Sequence, residues 1–238
     1  MIKQTVPGWS ATNETIASPL IGLDVQAGDS IAAVLGSGDI PFAMIAHGAR
    51  VHAADFEEAQ VIYARTKQEH IRKNDLDAFL HEGIVLHSDN TNSSTKIEDV
   101  QAREAYFSQK SVWESLVKHV DNLYIADPSD FLSYITGKTF DKIYASNAPG
   151  WGIVTQFSEF MMLRGEFECK EFFTRARESL HDDGLIYRTR YEHQYFFGQN
   201  YKGFIREDSL SQKALEAQKA QHPLDDVPWV IEVYRKTE

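Results

Sequence analysis

The residues whose types and spacing could do chemistry begin with a glycine turn and a distant acid. Leu35-Gly36-Ser37-Gly38-Asp39 follows a short apolar run, and Asp55 stands nineteen positions beyond Gly36, at the end of a second run. Paired glycines let a backbone turn sharply and lie against a ligand. A carboxylate at the end of the second strand of such a unit accepts both hydroxyls of a ribose. Gly36, Ser37, Gly38, Asp39, Asp55 and the adjoining Phe56 therefore read as a nucleoside-binding set. Pro41 occupies the position of the third glycine of G-x-G-x-x-G. The turn is thus not the dinucleotide fingerprint, and it suits S-adenosylmethionine, which has no pyrophosphate, better than NAD. Asp55 also has the chemistry of a helix N-cap, and the two roles are compatible.

Further candidates follow along the chain. Asp127-Pro128 closes a later apolar run, where the aspartate either meets an adenine amino group or simply makes a turn before proline. Asn147-Ala148-Pro149-Gly150-Trp151 comes after a further run, at the position from which a fourth strand delivers residues to a reacting sulfonium. Trp151 there either stacks on a cation or packs the next helix. His193 is the general-base candidate, because imidazole titrates near neutrality. Asn147, Trp151 and His193 are the three catalytic candidates. No metal site is expected, since the single cysteine, Cys169, has no ligand-like spacing around it.

The elements that must hold these residues are legible from periodicity. Ser30 to Leu35 and Arg50 to Ala54 read as buried parallel strands, with a helix from Ile40 to His47 between them that Gly48 stops. Glu57 to Lys73 predicts a helix with Ala59, Ile62, Tyr63 and Thr66 on one face. Gln60 and Lys67 lie two turns apart on another side, either toward a ligand or in solvent. His81 to Thr95 reads as a polar loop and Ile97 to His119 as one helix, together an insertion at about 81–119. Strands follow at Asn122–Ala126 and Lys142–Ala145, then helices at Ile153–Leu163 and Cys169–Leu180. A turn at His181–Gly184 precedes strand Leu185–Tyr191, and an aromatic run surrounds Tyr195 to Phe197. Helix Ser209–Gln221 and strand Trp229–Tyr234 complete the chain. Residues 1–20 read as a turn-rich lead-in, with Trp9 as an aromatic anchor. Alternating strands and helices imply an α/β, Rossmann-like, doubly wound and mostly parallel seven-stranded sheet with an antiparallel C-terminal edge, in a single domain over 1–238.

Composition bounds the partners. The chain has 238 residues and a formal net charge of −11, so no nucleic-acid partner is expected. One cysteine fits a reducing, cytoplasmic setting. No apolar run reaches membrane-spanning length.

This order resembles the class I S-adenosylmethionine-dependent methyltransferases. The landmarks are Leu35-Gly36-Ser37-Gly38, Asp55, Asp127 and Phe140-Asp141-Lys142-Ile143. Val34 and Leu35 stand where that family carries an acid before the turn, and Asp39 is the nearest substitute for holding the methionine amino group. A narrower stretch, Ala33 to Lys67, is similar to the betaine-lipid synthases, which transfer a 3-amino-3-carboxypropyl group from S-adenosylmethionine to diacylglycerol. Their Asp-x-Asn-Pro-x-Gln pattern, with a later lysine, is matched at Asp55, Gln60 and Lys67, while Glu57 and Glu58 replace the Asn and Pro. The resemblance implies an S-adenosylmethionine-dependent transferase, most simply a methyltransferase, acting on a small-molecule or lipid acceptor. Aminocarboxypropyl transfer is the alternative, and a non-catalytic nucleoside-binding module is a third reading.

Overall fold

A computed structural model describes residues 11–12, 14–84, 96–146, 159–191, 201–221 and 229–237. The first half builds strand β1 (Ser30–Val34), helix α2 (Asp39–Ala46), strand β2 (Arg50–Ala54) and helix α3 (Glu58–Arg72), preceded by a short helix α1 (Ala17–Gly22). Three helices follow: α4 (Leu76–His81), α5 (Ile97–Phe107) and α6 (Lys110–Lys118). Next come β3 (Leu123–Ile125), α7 (Phe131–Ile135), β4 (Phe140–Ser146), α8 (Glu159–Glu178), β5 (Leu180–Tyr191), β6 (Phe204–Arg206), α9 (Asp208–Gln221) and β7 (Trp229–Lys236).

The seven strands form one mixed sheet in the order β3-β2-β1-β4-β5-β7-β6. Strands β1 to β5 pair in parallel, while β7 runs antiparallel to both β5 and β6. The expected Rossmann-like, mostly parallel seven-stranded sheet with an antiparallel C-terminal edge is therefore present. Its order reverses beside β1, with β2 on one side and β4 on the other, and doubly wound sheets bind ligands at such a point.

The sheet is buried on both faces, which is why its strands read as continuous apolar runs. Ile31 and Ala33 of β1 join the layer under α1, α2, α3, α6 and α9. Ala32, one residue out of phase, joins the layer that carries α7 and α8.

Several expectations are corrected. The lead-in contains α1, with Pro19 in its first turn, where a missing N–H costs little. The helix expected over 97–119 breaks at Ser108 and Gln109, and Gln109 is extended. Phe107 and Trp113 both pack on Phe79, with ring centroids 5.1 and 5.4 Å away. At 100° per residue an unbroken helix would point them about 120° apart. Among the described residues between β4 and β5 a single helix, α8, runs through Leu163–Cys169, because an interior glycine such as Gly165 costs a helix only about 1 kcal/mol. His181–Gly184 is an excursion inside β5: the register passes from Phe140↔Leu180 to Lys142↔Leu185, and Asp183 has φ 63°. The seventh strand is β6, three residues long and hidden in sequence among the aromatics. Trp9, the polar loop at 85–95, residues 153–158 and the run Tyr195–Phe197 lie outside the described residues.

Candidate functional site

The glycine turn leaves the carboxyl end of β1. Gly36 and Gly38 have φ 48° and 83°, in the left-handed region, and the Gly38 N–H donates to the Leu35 carbonyl at 2.8 Å to close the turn. A Cβ at Gly38 would lie 2.8 Å from the Phe42 ring, whereas one at Gly36 would meet open space. Gly38 thus serves helix packing, and Gly36 leaves room beside the backbone.

Asp55 joins the two halves of the unit. Its Oδ2 accepts the Gly36 N–H at 3.1 Å, and its Oδ1 accepts the Glu57 N–H at 3.0 Å at the entry to α3. Burial pushes its carboxyl up, against the pull of the N–H groups of Glu57, Gly36 and Phe56. The two carboxylate oxygens together offer four acceptor directions, so the three N–H groups leave at least one free.

A cavity of about 250 Å³ opens at this point, above the carboxyl ends of β1, β2 and β4. Gly36, Ser37, Asp55, Phe56 and Gln60 line it, together with Glu14, Asp130, Phe131, Tyr144 and Ser146. Phe56 is 66% exposed although it is a large apolar ring on the cavity wall. The lining holds four carboxylates, Glu14, Asp55, Glu57 and Asp130, and among the described residues no Lys, Arg or His.

Asp39 is elsewhere. It is fully buried behind the turn, where Lys67 Nζ approaches its Oδ1 to 2.5 Å and Arg103 Nε lies 3.2 Å from the same oxygen. Its Oδ2 accepts the Ser37 hydroxyl and the Thr12 N–H, both at 3.0 Å. Burial opposes its ionisation, yet Lys67 and Arg103 together hold it below the usual carboxylate range. Lys67 also donates to the Ser37 carbonyl at 3.0 Å and sits over the rings of Phe42, Tyr63 and Phe79. Burial and then Arg103 pull its pKa down to about 7, against Asp39. Arg103 itself donates to the carbonyls of Phe79 and Leu80. These three groups clamp the turn from below.

The face expected for α3 is therefore rotated. Tyr63 of that face is buried as expected, but Ile62 is exposed, and the buried side otherwise carries Gln60, Val61, Ala64, Lys67, Gln68 and Ile71. Polar Lys67 faces inward because the Ser37 carbonyl and Asp39 give it partners that solvent-based patterning does not anticipate, and Gln60 is buried on the cavity wall.

Asp127 and Pro128 are not among the lining residues. The Asp127 side chain is exposed and pairs with Arg65 at 2.9 Å. Asp130, three residues on, is on the wall and accepts the Ser133 N–H at 2.8 Å at the start of α7. Asn147, Trp151 and His193 lie outside the described residues. β4 ends just before Asn147, at Ser146, which has φ 49°. Glu14, Tyr144, Ser146, Asp130 and Phe131 escaped sequence reasoning. Glu14 carries no motif, and only the return of the N-terminal segment over the sheet brings it to the cavity.

No protein-family model matches the chain, and no curated protein matches it. Solved structures similar to it include MtNAS in complex with MTA and tNA, at 10% identity and TM-score 0.43, over 94% of this chain and 59% of that one. The chain thus spans about three fifths of that protein's length. Another is the N-methyltransferase NodS from Bradyrhizobium japonicum WM9, at 9% identity and TM-score 0.47, over 93% of each chain. A third is an rRNA methylase from Streptococcus thermophilus, at 10% identity and TM-score 0.42, over 94% of this chain and 95% of that one. At these identities no site residue transfers.

Proposed function

We propose that the chain is an S-adenosylmethionine-dependent transferase, with a methyl group passed to a small-molecule or lipid acceptor. The observation that carries this reading is the cavity's charge. Among the described residues, four carboxylates and no basic side chain line a cleft at the switch point of the sheet. A pyrophosphate would be repelled there, whereas a sulfonium and an ammonium would be attracted.

Asp55 is assigned to the ribose hydroxyls through its remaining acceptor capacity, and Phe56 to the face of the adenine. The Gly36-Ser37 backbone follows the amino-acid tail, with Gly38 and Asp39 supporting the turn from behind. Gln60 is assigned to the nucleoside end, beside Asp55 on the wall. For the adenine edge the wall favours Asp130 over Asp127, which is spent on Arg65. Asn147, Trp151 and His193 remain our candidates for the acceptor end, since they follow β4 and β5 directly in the chain. The reaction is an in-line displacement at carbon: the acceptor's lone pair forms the new bond, and the sulfonium leaves as a neutral thioether. Alignment and exclusion of water are the main requirements.

Aminocarboxypropyl transfer is the second reading, favoured by one observation. Asp55 and Gln60 both line the cavity, and Lys67 of the same spacing is hydrogen-bonded to the glycine turn. Product analysis separates the two, because methyl transfer leaves S-adenosylhomocysteine and the alternative leaves methylthioadenosine. The test of the cosubstrate is a thermal-shift comparison of S-adenosylmethionine, S-adenosylhomocysteine and NAD. At a hundredfold over its Kd a ligand adds about 2.7 kcal/mol. Stabilisation by the first two and not by NAD is expected, and stabilisation by NAD alone would contradict the proposal.

A further inference from the structure

Glu14 is a buried acid that the reading above leaves without a task. It is 3% exposed and lines the cavity. Its Oε2 accepts the Tyr144 hydroxyl at 2.9 Å, and its Oε1 accepts the Ser146 hydroxyl and, at 3.2 Å, that of Thr189. All three donors are neutral, and among the described residues no cation acts on it. A buried carboxylate without a counter-charge is costly.

Its position is fixed from both sides. The Glu14 N–H donates to Thr12 Oγ1 at 3.2 Å, and the Thr12 N–H donates to Asp39, at the start of α2. On the other side Thr15 is tied to Gln218 of α9 through its N–H at 2.8 Å and its hydroxyl at 3.3 Å. The segment is thus stapled to the glycine turn and to α9, with the carboxylate held between β4 and β5. Meanwhile Asp39 is closed off by Lys67 and Arg103, and Val34 and Leu35 precede the turn. The acid that the turn itself does not bring to the cavity is present, but from another part of the chain.

We infer that Glu14 is the ammonium seat of this cavity, supplied by the N-terminal segment and aimed by Tyr144, Ser146 and Thr189. The inference rests on the cosubstrate reading above. An ammonium supplies the missing counter-charge and a charge-assisted hydrogen bond. It has two possible sources, the α-ammonium of the cosubstrate's amino-acid tail or an amine acceptor.

The test is calorimetric titration of wild type and Glu14→Gln with S-adenosylhomocysteine and with methylthioadenosine, which shares the nucleoside but lacks the tail. If the cosubstrate supplies the ammonium, Glu14→Gln weakens S-adenosylhomocysteine at least tenfold and leaves methylthioadenosine within about twofold. If an acceptor supplies it, that ratio is unchanged. n-Butylamine, but not n-butanol, then binds wild type saturated with S-adenosylhomocysteine and fails to bind the variant. An unchanged ratio together with no Glu14-dependent binding of butylamine overturns the inference. Should Glu14→Gln fail to bind methylthioadenosine, Glu14→Asp, which keeps the charge but withdraws it by a methylene, is read by the same two titrations. Behaviour equal to wild type in both then overturns it. Binding of neither nucleoside by wild type overturns the cosubstrate reading and this inference together, a result distinct from the others.

Discussion

Glu14 and Lys67 are both buried titratable groups, and they tilt stability with pH in opposite directions. Burial raises the Glu14 carboxyl above its ordinary 4.5, against hydrogen bonds from Ser146, Tyr144 and Thr189. The folded protein then holds this proton more tightly than the unfolded chain, so its contribution is full below pH 4.5 and is lost as pH rises through the folded value. Lys67 has its pKa lowered from 10.5 to about 7. Between those values the unfolded chain holds the extra proton, so this contribution is full above pH 10.5 and is lost as pH falls toward 7. In urea titrations, Glu14→Gln should therefore gain on wild type as pH rises from about 4 to about 7. Lys67→Met should remove part of the wild-type gain between about pH 7 and about pH 10. A pH-independent difference for either variant would contradict the assignment. Of these residues and the site they flank, Asp55 is legible from its spacing alone, because a strand-end acid is set by local geometry. Glu14 is not legible, because its partners Tyr144, Ser146 and Thr189 lie more than a hundred residues away.

The glycine turn and the helices around it show what periodicity can and cannot deliver. β1, the turn, α2 and β2 lie where the apolar runs and glycines put them, since strands buried on both faces and helix stops are written locally. Helix α3 lies where its pattern puts it along the chain, but rotated about its axis. Its inward Lys67 answers to Asp39 and the turn, and apolar patterning carries no record of a buried ion cluster. The break between α5 and α6 has the same kind of cause: the single ring of Phe79 draws both Phe107 and Trp113. The three-residue β6 is too short to show a period. The turn itself is testable. Gly38→Ala forces a side chain into a left-handed conformation, at about 1–2 kcal/mol, and drives its Cβ against the Phe42 ring. We expect a loss of at least that size in denaturant titration, and an unchanged midpoint would mean that the turn adopts another conformation.

Across the whole molecule, the net charge of −11 and the four carboxylates of the cavity wall point the same way. Such a charge does not attract polyphosphate, and among the described residues no helix is long and apolar enough to cross a membrane. The two apolar layers hold the sheet rigid between them, so the carboxyl ends of β1, β2 and β4 present Gly36, Asp55 and Ser146 in fixed relation. The most direct measurement is calorimetric titration of S-adenosylhomocysteine into wild type and Asp55→Ala, beside a denaturation curve for each. Asp55 accepts the N–H of Glu57, the residue that precedes α3, and that of Gly36, and it lines the cavity, so loss of these part-buried hydrogen bonds should lower stability by about 1 kcal/mol. Loss of its charge-assisted bonds, each worth roughly 1.5–3 kcal/mol, should weaken the ligand at least tenfold. No binding by wild type, or equal affinity in the two proteins despite the lowered stability, would contradict the account.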